Sequence, residues 1–300
     1  MRDNSAFPQP TINPNPLWGV AWMVCATGAF VASDTIAKFL LDTYSIPQII
    51  WARYTAHFLV IVLLMTRFLP GAVLTTNLPL QLYRSGFLLL ATVFFFAALS
   101  QIKLATASAI MFTAPLIVTT LSWPFLREQV DRNRWFGVII GFIGALIIIQ
   151  PGGAHWDPAM IWAALGATMY AFYQISTRAL NQTDRPVTTV FYTSLLGVAV
   201  MPFVVPFFWQ TPEWTAAILM GMTGLVSGFA HYSIIRAFQF APASVITPFG
   251  YTSLLWAIIF GIVVFAELPT VETLIGAAII VGSGIFIAHV ERKRRRINSS

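Results

Sequence analysis

The sequence RWFGVIIGFIGALIIIQPGG at Arg134–Gly153 decides the fold, because most of it belongs to a segment that the chain repeats. That segment, Arg127–Ile148, aligns with Ala266–Ile287, and the alignment pairs Glu128 with Glu267. In both copies an apolar run carries glycines at intervals, which lets membrane helices pack closely. The chain is therefore predicted to contain one helical unit twice.

Ten apolar runs of about 17–25 residues, the length of a membrane-spanning helix, occur along the chain. They are residues 17–39, 46–66, 82–101, 105–126, 134–150, 158–178, 187–208, 215–236, 243–265 and 271–289. LATASAIMF at Leu104–Phe112 and FAPASVITP at Phe240–Pro248 align in runs 4 and 9. Since each unit holds five helices, an odd number, the second unit is predicted to cross the membrane upside down.

The composition is that of a membrane protein. Hydrophobic residues make up 57% and charged residues 9% of the chain, against roughly 25% charged in soluble domains. Much of the net charge of +6 lies in ERKRRR at Glu291–Arg296, which fits a membrane-flanking anchor rather than a nucleic-acid surface. Cys25 is the one cysteine. No disulfide, metal cluster or cofactor is expected.

The distribution of Lys and Arg predicts the orientation. With a cytoplasmic N-terminus, fourteen of these residues lie inside and only Lys38 and Lys103 lie outside. The positive-inside rule therefore places both termini in the cytoplasm of a multi-pass inner-membrane protein. We expect a disordered tail at residues 1–16, units at residues 17–150 and 158–290, and a basic tail at residues 291–300.

The repeated block, with a Glu just after run 4 and a Gly-rich run 5, resembles the EamA module of the drug/metabolite transporter superfamily. The resemblance covers about residues 17–290 as two modules. It implies an all-α membrane protein, with ten transmembrane helices as two inverted five-helix repeats around a central cavity. The first half is most similar to bacterial riboflavin and S-adenosylmethionine uptake members.

Four ionisable residues lie inside the first two predicted helices. VASDTIAKF at Val31–Phe39 places Asp34 and Lys38 four residues apart on one helix face, and Arg53 and His57 have the same spacing in the next helix. A charge at the membrane centre costs ~2.5–3.5 kcal/mol, so such groups face a cavity or a partner. At a rise of ~1.5 Å per residue, the four groups are predicted to meet at one level.

Two interpretations of these charges stay open. In the first, Asp34 and Arg53 form a structural salt bridge while Lys38 extends to the outer interface. In the second, Arg53 and Lys38 attract an anionic group of a solute, and Asp34 holds Arg53 or takes up a proton.

Polar aromatic and amide side chains predict the rest of a solute site. Tyr170, Tyr173, Gln174, His231 and Tyr232 carry polar atoms that need partners inside a membrane. They are better cavity candidates than the phenylalanines, and their rings would suit a planar, aromatic solute.

Prolines and glycines suggest where helices bend and pack. Pro115 and Pro248 interrupt runs 4 and 9 at similar depths, as kinks that bend during transport or as static kinks. The glycines of runs 5 and 10 fit either an intramolecular contact or the seam of a homodimer.

These features favour a secondary transporter of a small organic metabolite, working by alternating access. Riboflavin-like or S-adenosylmethionine-like uptake is one alternative, and export of amino acids or other metabolites is another. Coupling to protons through Asp34 or the histidines and facilitated diffusion are equally open. The sequence has no GxxxxGK[ST], HExxH or GxSxG motif, so a membrane enzyme or a lipid flippase is disfavoured.

Overall fold

The computed structural model describes residues 16–64, 73–126, 132–153, 156–180, 183–184, 186–240 and 243–298. These residues form helices and connecting segments, without a strand among them. The helices are α1 (Pro16–Leu41), α2 (Ile46–Leu64), α3 (Leu78–Leu99), α4 (Leu104–Met111), α5 (Ala114–Leu126), α6 (Arg132–Ile149), α7 (Met160–Leu180), α8 (Pro186–Val204), α9 (Trp214–Phe240), α10 (Ala243–Ile246), α11 (Thr252–Phe265) and α12 (Val271–Asn298). Residues 1–15 of the predicted N-terminal tail, and Glu128 of the repeat, lie outside the described residues.

Seven segments of the described chain are long and apolar enough to cross a membrane, which makes this a multi-pass membrane protein. Shorter apolar stretches lie in α6 and α12. The 21-residue α7 is long enough, but Tyr170, Tyr173 and Gln174 reduce its apolar character. Every one of the ten predicted runs contains a helix at its place in the chain.

Helix α3 begins four residues before its predicted start. Asn77 caps it, since its side-chain oxygen accepts from the Leu80 N–H at 3.1 Å, and Pro79 lies in the first turn. Both are start signals of a helix. The earlier start moves Arg84, assigned to the cytoplasmic side from the sequence, into the second turn of a membrane helix, where it is 2% exposed.

The prolines of runs 4 and 9 lie at breaks rather than at bends of continuous helices. Run 4 consists of α4 and α5, separated by a turn at residues 112–113, and Pro115 occupies the first turn of α5. Run 9 consists of α10, a 3₁₀ segment at Thr247–Tyr251 that contains Pro248, and α11. Phe112 and Tyr251, at the two breaks, are in ring contact at 5.3 Å between centroids.

Helix α12 continues nine residues past the predicted end at residue 289, through the basic run to Asn298. Glu, Lys and Arg are good helix formers, and cations near the C-terminus interact favourably with the helix dipole. The basic tail at residues 291–298 is therefore a helical extension.

The two halves of the chain interdigitate. The most extensive helix contacts are α1 with α9, α3 with α7, and α6 with α12, and each joins a helix of the first half to one of the second. Smaller contacts of the same kind join α2 to α8 and α9, α3 to α8, α1 to α11, and α5 to α7. The core is consequently shared between the halves.

Glycines permit the closest of these approaches. A Cβ atom on Gly144 would lie 2.8 Å from the Gly276 carbonyl oxygen, and one on Gly276 would lie 2.5 Å from that of Gly144. Gly137 and Gly141 also face α12, whereas Gly282 has open space around it. Most glycines of runs 5 and 10 thus serve contacts within the chain, and the homodimer stays a prediction.

Candidate functional site: polar contacts between helices of the two halves

Asp34 and Arg53 form an ion pair between α1 and α2. An Arg53 guanidinium nitrogen donates to Asp34 Oδ1 at 2.6 Å, and the two side chains are 14% (Arg53) and 18% (Asp34) exposed. The guanidinium also lies over the Phe96 ring of α3, 5.4 Å from its centroid. Because burial reduces solvent screening, the electrostatic attraction between the two charges is stronger than in an ion pair at the surface. The predicted partnership of Asp34 and Arg53 is confirmed.

Helix α9 of the second half packs against both helices that carry this pair. A Cβ atom on Gly224 would lie 2.5 Å from the Arg53 carbonyl oxygen and 2.8 Å from the His57 backbone nitrogen, both on α2. Ser33 of α1 donates to the carbonyl of the adjacent residue, Thr223, at 2.8 Å. Glycine at position 224 therefore sets how closely the second half approaches Arg53.

His57 faces His231 rather than the Asp34–Arg53 pair. Their rings are 4.7 Å apart between centroids, tilted by 34°, and Phe30 contacts His231 edge-on at 4.9 Å. His57 is 6% exposed, and its Nε2 atom has no hydrogen-bond partner in the structure. His231 Nδ1 lies 2.9 Å from the Ser227 carbonyl oxygen.

Lys38 is bound to the second half. Its Nζ atom lies 2.9 Å from Glu267 Oε1 and donates to the Ile102 carbonyl at 2.6 Å. Glu267 Oε2 accepts from the Leu104 N–H at 3.1 Å. Of the four ionisable groups predicted to meet, Asp34 and Arg53 pair with each other, whereas Lys38 and His57 have separate partners in the second half. Lys38 does extend toward the predicted outer end, but it is 9% exposed there because Glu267 and the Ile102 carbonyl bind it.

A second contact between the halves lies at the same end of the molecule, the predicted outer end. Gln48 Nε2 donates to the Gln210 carbonyl at 2.8 Å, and the Gln210 N–H donates to Gln48 Oε1 at 3.1 Å. Ser45 donates to the Phe208 carbonyl at 3.0 Å. We call these bonds, with the Lys38–Glu267 pair, the outer contact.

An inner contact joins the halves at the opposite end. Asp184, between α7 and α8, accepts from the Thr76 N–H at 2.9 Å, from Thr76 Oγ1 at 2.5 Å and from Gln81 at 2.8 Å, and also from Thr75. Burial of the Asp184 carboxyl favours its neutral form, but these hydrogen bonds outweigh it and lower its pKa to about 2. The carboxylate therefore holds the segment before α3 against the second half.

Asp184→Asn is expected to weaken the inner contact. Hydrogen bonds to a charged acceptor contribute about 1.5–3 kcal/mol, and an amide keeps only part of them. Because the folded-state pKa of about 2 lies below the ordinary value of 3.8, the stabilisation is complete above about pH 4 and disappears as the pH falls through 2. Thermal unfolding in detergent should show a gap between wild type and variant that narrows over this range. The exposed Asp42→Asn variant serves as control, and a gap independent of pH would contradict the assignment.

Arg84 joins α3 to α7 and α8. Its guanidinium donates to Thr177 Oγ1 at 2.7 Å, Tyr173 Oη at 2.8 Å, the Thr189 carbonyl at 3.0 Å and Thr193 Oγ1 at 3.1 Å. It also lies 4.5 Å from the Tyr173 ring centroid. All four acceptors are neutral, so this buried cation is held by dipoles and a ring face.

The predicted aromatic and amide candidates lie in three places, one of which is the contact of His231 with His57 described above. Tyr170 and Tyr173 stack, with 5.4 Å between centroids, and half-buried Gln174 follows them on α7. Tyr232 is 41% exposed and contacts Trp22 edge-on at 6.0 Å, so it does not join the others.

Sequence reasoning missed three groups of this site. Arg84 could have been placed inside α3 from the cap signals at Asn77 and Pro79. Glu267 was visible as the repeated Glu after runs 4 and 9, but nothing in the repeat pointed to Lys38 as its partner. Phe96, which is fully buried under Arg53, carries no signal that separates it from its neighbours Phe94 and Phe95.

Comparison with known proteins assigns the family. The EamA-like transporter family matches this chain twice, over residues 17–150 and 157–288. The chain belongs to this family. In both the outer and the inner contact, one partner lies in the first matched range and the other lies in the second. These contacts therefore join one EamA match to the other.

Curated relatives align over almost the whole chain. The riboflavin transporter of Vibrio cholerae is 29% identical over 95% of this chain and 98% of its own length. The S-adenosylmethionine uptake transporter of Rickettsia bellii is 24% identical, with 92% and 94% covered. The riboflavin transporter of Rhizobium johnstonii is 28% identical, with 93% of both covered. These names point to transport.

A solved crystal structure shares the fold. It covers 92% of this chain and 98% of its own, with a TM-score of 0.62 and 17% sequence identity.

Among the described residues of this protein, no group of three or more His, Cys, Asp or Glu side chains is arranged to hold a metal ion.

Proposed function

We propose that this protein is a secondary transporter of the inner membrane that moves a small organic metabolite by alternating access, with both termini in the cytoplasm. Riboflavin-like or S-adenosylmethionine-like solutes are the proposed class, in the uptake direction, because relatives that align over the whole chain carry these names. The observation that carries the proposal is the partly buried Asp34–Arg53 ion pair between α1 and α2, the two helices against which α9 of the other half packs. Ionisable groups inside membrane helices are rare and mark solute or ion pathways.

The helix contacts support two inverted repeats of five helices each, at residues 17–150 and 158–290. In order along the two halves, α1 corresponds to α7, α2 to α8, α3 to α9, α5 to α11 and α6 to α12. Exchanging corresponding helices converts the α1–α9 contact into the α3–α7 contact, and the α2–α9 contact into the α3–α8 contact. It turns α1–α11 into α5–α7, while α2–α8 and α6–α12 map onto themselves. A two-fold axis in the membrane plane has this property, and transporters of this type bind solute near the axis.

The two end contacts suggest how access alternates. The outer contact and the inner contact each join the first half to the second. A solute that enters from one end must separate one contact while the other remains closed. Lys38 therefore belongs to the outer closure in this proposal, rather than to the solute site.

Solute recognition is assigned to Arg53, Asp34 and the stacked tyrosines. A carboxylate or another acceptor-rich group of the solute would take guanidinium hydrogen bonds from Arg53 in place of Asp34. Tyr170 offers an aromatic ring that suits a planar, aromatic solute, and Tyr173 and Arg84 hold that ring in place through the stack. Gln174 offers an amide on the same helix.

The test is uptake of labelled riboflavin, S-adenosylmethionine and amino acids by cells that make no riboflavin, together with Asp34→Asn and Arg53→Lys variants of checked membrane abundance. Lysine cannot reproduce the fork of the guanidinium, and asparagine removes the charge that holds Arg53. Both variants should therefore lose about tenfold in uptake, roughly 1.4 kcal/mol of activation free energy. Arg132→Lys, at the exposed start of α6, is the matched control.

Two outcomes would count against the proposal. Normal uptake by both variants would remove the ion pair from the mechanism. Failure of the purified protein in liposomes to exchange any of these solutes would reject the carrier. Efflux from preloaded vesicles with the protein in one orientation separates uptake from the alternative, export.

A further inference from the structure

We propose that the imidazoles of His57 and His231 form the proton-binding site through which a proton gradient drives this transporter. The inference rests on the proposed function and deepens it, since it names the coupling ion and its site. His57 lies on α2 of the first half and His231 on α9 of the second, with 4.7 Å between ring centroids. A proton bound there lies between the two halves.

The ring nitrogens of the pair are available to a proton. His57 Nε2 is buried and without a hydrogen-bond partner, which is uncommon for a buried polar atom. A backbone carbonyl only accepts, so His231 Nδ1 carries the hydrogen in its bond to Ser227. The basic nitrogen of neutral His231 is then Nε2.

Charged and titratable groups on the surrounding helices limit the pair to one proton. Arg53 lies one turn before His57 on α2, and its charge acts on both imidazoles. Arg84 of α3 acts on His231, while α1 contributes Asp34, which is bound to Arg53. Two imidazolium groups in ring contact beside Arg53 would repel one another strongly.

Solute binding changes this balance in favour of the proton. A solute that takes the guanidinium of Arg53 leaves the Asp34 carboxylate without its 2.6 Å partner. A single positive charge on the histidine pair, which lies one helical turn from Arg53 on α2, then compensates the carboxylate. Because linkage is reciprocal, protonation of the pair also strengthens solute binding. Solute and proton consequently bind together and cross together.

Asp34 is the less suitable proton carrier. Its carboxylate is already bound to a guanidinium at 2.6 Å, whereas His57 has a buried nitrogen without a partner. The histidine pair also separates when α2 and α9 move apart, so its affinity for a proton changes with the state of the transporter.

The experiment uses purified protein in liposomes with riboflavin and S-adenosylmethionine as probes. Two quantities are measured for each variant: solute exchange without a gradient, and accumulation when the outside is more acidic. Wild type should accumulate solute by up to about tenfold per pH unit, the limit for one proton per solute. His57→Gln and His231→Gln should lower the ratio of accumulation to exchange about tenfold. His289→Gln, exposed near the end of α12, should keep the wild-type ratio.

A second measurement needs no variant. In weakly buffered detergent solution, wild type should take up close to one proton per solute bound near neutral pH. An unchanged accumulation ratio in both histidine variants, or exchange by wild type without accumulation or proton uptake, would overturn the inference. Absence of exchange in wild type would instead reject the proposed function.

Discussion

Replacing Arg84 with methionine is expected to lower the free energy of unfolding by about 2–4 kcal/mol. The substitution removes four hydrogen bonds that join α3 to α7 and α8, together with the cation–π contact to Tyr173. Two of the acceptors, the Thr189 carbonyl and Thr193 Oγ1, belong to buried residues, and each would lose one donor. Unfolding by heat or denaturant in detergent micelles measures the loss.

The neighbouring residue provides a control for this experiment. Tyr83 is 67% exposed, so Tyr83→Met changes the same turn of α3 without touching the network. Arg84→Lys should fall between wild type and Arg84→Met, since an ammonium keeps the charge but not the planar set of donors. Stability of Arg84→Met within about 0.5 kcal/mol of wild type, the range of ordinary surface substitutions, would show that the network contributes little.

Gly224→Val is expected to separate α9 from α2. Its Cβ atom would lie 2.5 Å from both the Arg53 carbonyl oxygen and the Ala56 Cβ, and backbone atoms of a helix cannot move aside cheaply. Overpacking of this kind costs about 1–3 kcal/mol or more. Because the shift displaces Arg53 and its ion pair, uptake should fall at least tenfold, by the same sensitivity of bound geometry that applies to catalytic sites.

Gly221 lies on the same helix three residues earlier, and a Cβ atom there meets nothing within 4 Å. Gly221→Val therefore introduces the same β-branched residue into α9 without the clash. Equal uptake by the two variants would mean that the close approach at Gly224 has no influence on the ion pair.

The sequence predicts the helices well because bilayer length and hydropathy determine them. All ten runs contain helices, and depth along consecutive helices was enough to pair Asp34 with Arg53. It was not enough for Lys38 or His57, whose partners Glu267 and His231 come from the second half. Such partners depend on how the halves interdigitate, which no local pattern encodes.

Arg84 illustrates a different limit. A hydropathy scan begins a helix where apolar residues begin, so a charge near the start is assigned to the loop. Capping by Asn77 extends α3 beyond that point, and neutral hydroxyls and a carbonyl on α7 and α8 then hold the cation. The sequence does not show which hydroxyl or carbonyl groups will bind a buried cation, because these partners come together only when the helices pack.

The Asp34–Arg53 pair also has a consequence for synthesis in the membrane. The two residues are 19 positions apart, on consecutive helices, so the carboxylate meets its cation as soon as the first hairpin is inserted. The main packing partner of α1 is α9, which begins only at Trp214. Asp34 and Arg53 can therefore enter the bilayer as a neutral pair while the ribosome is still making the second half. Lys38 receives its carboxylate only after Glu267 has been synthesised, so this ion pair is the last part of the outer contact to form.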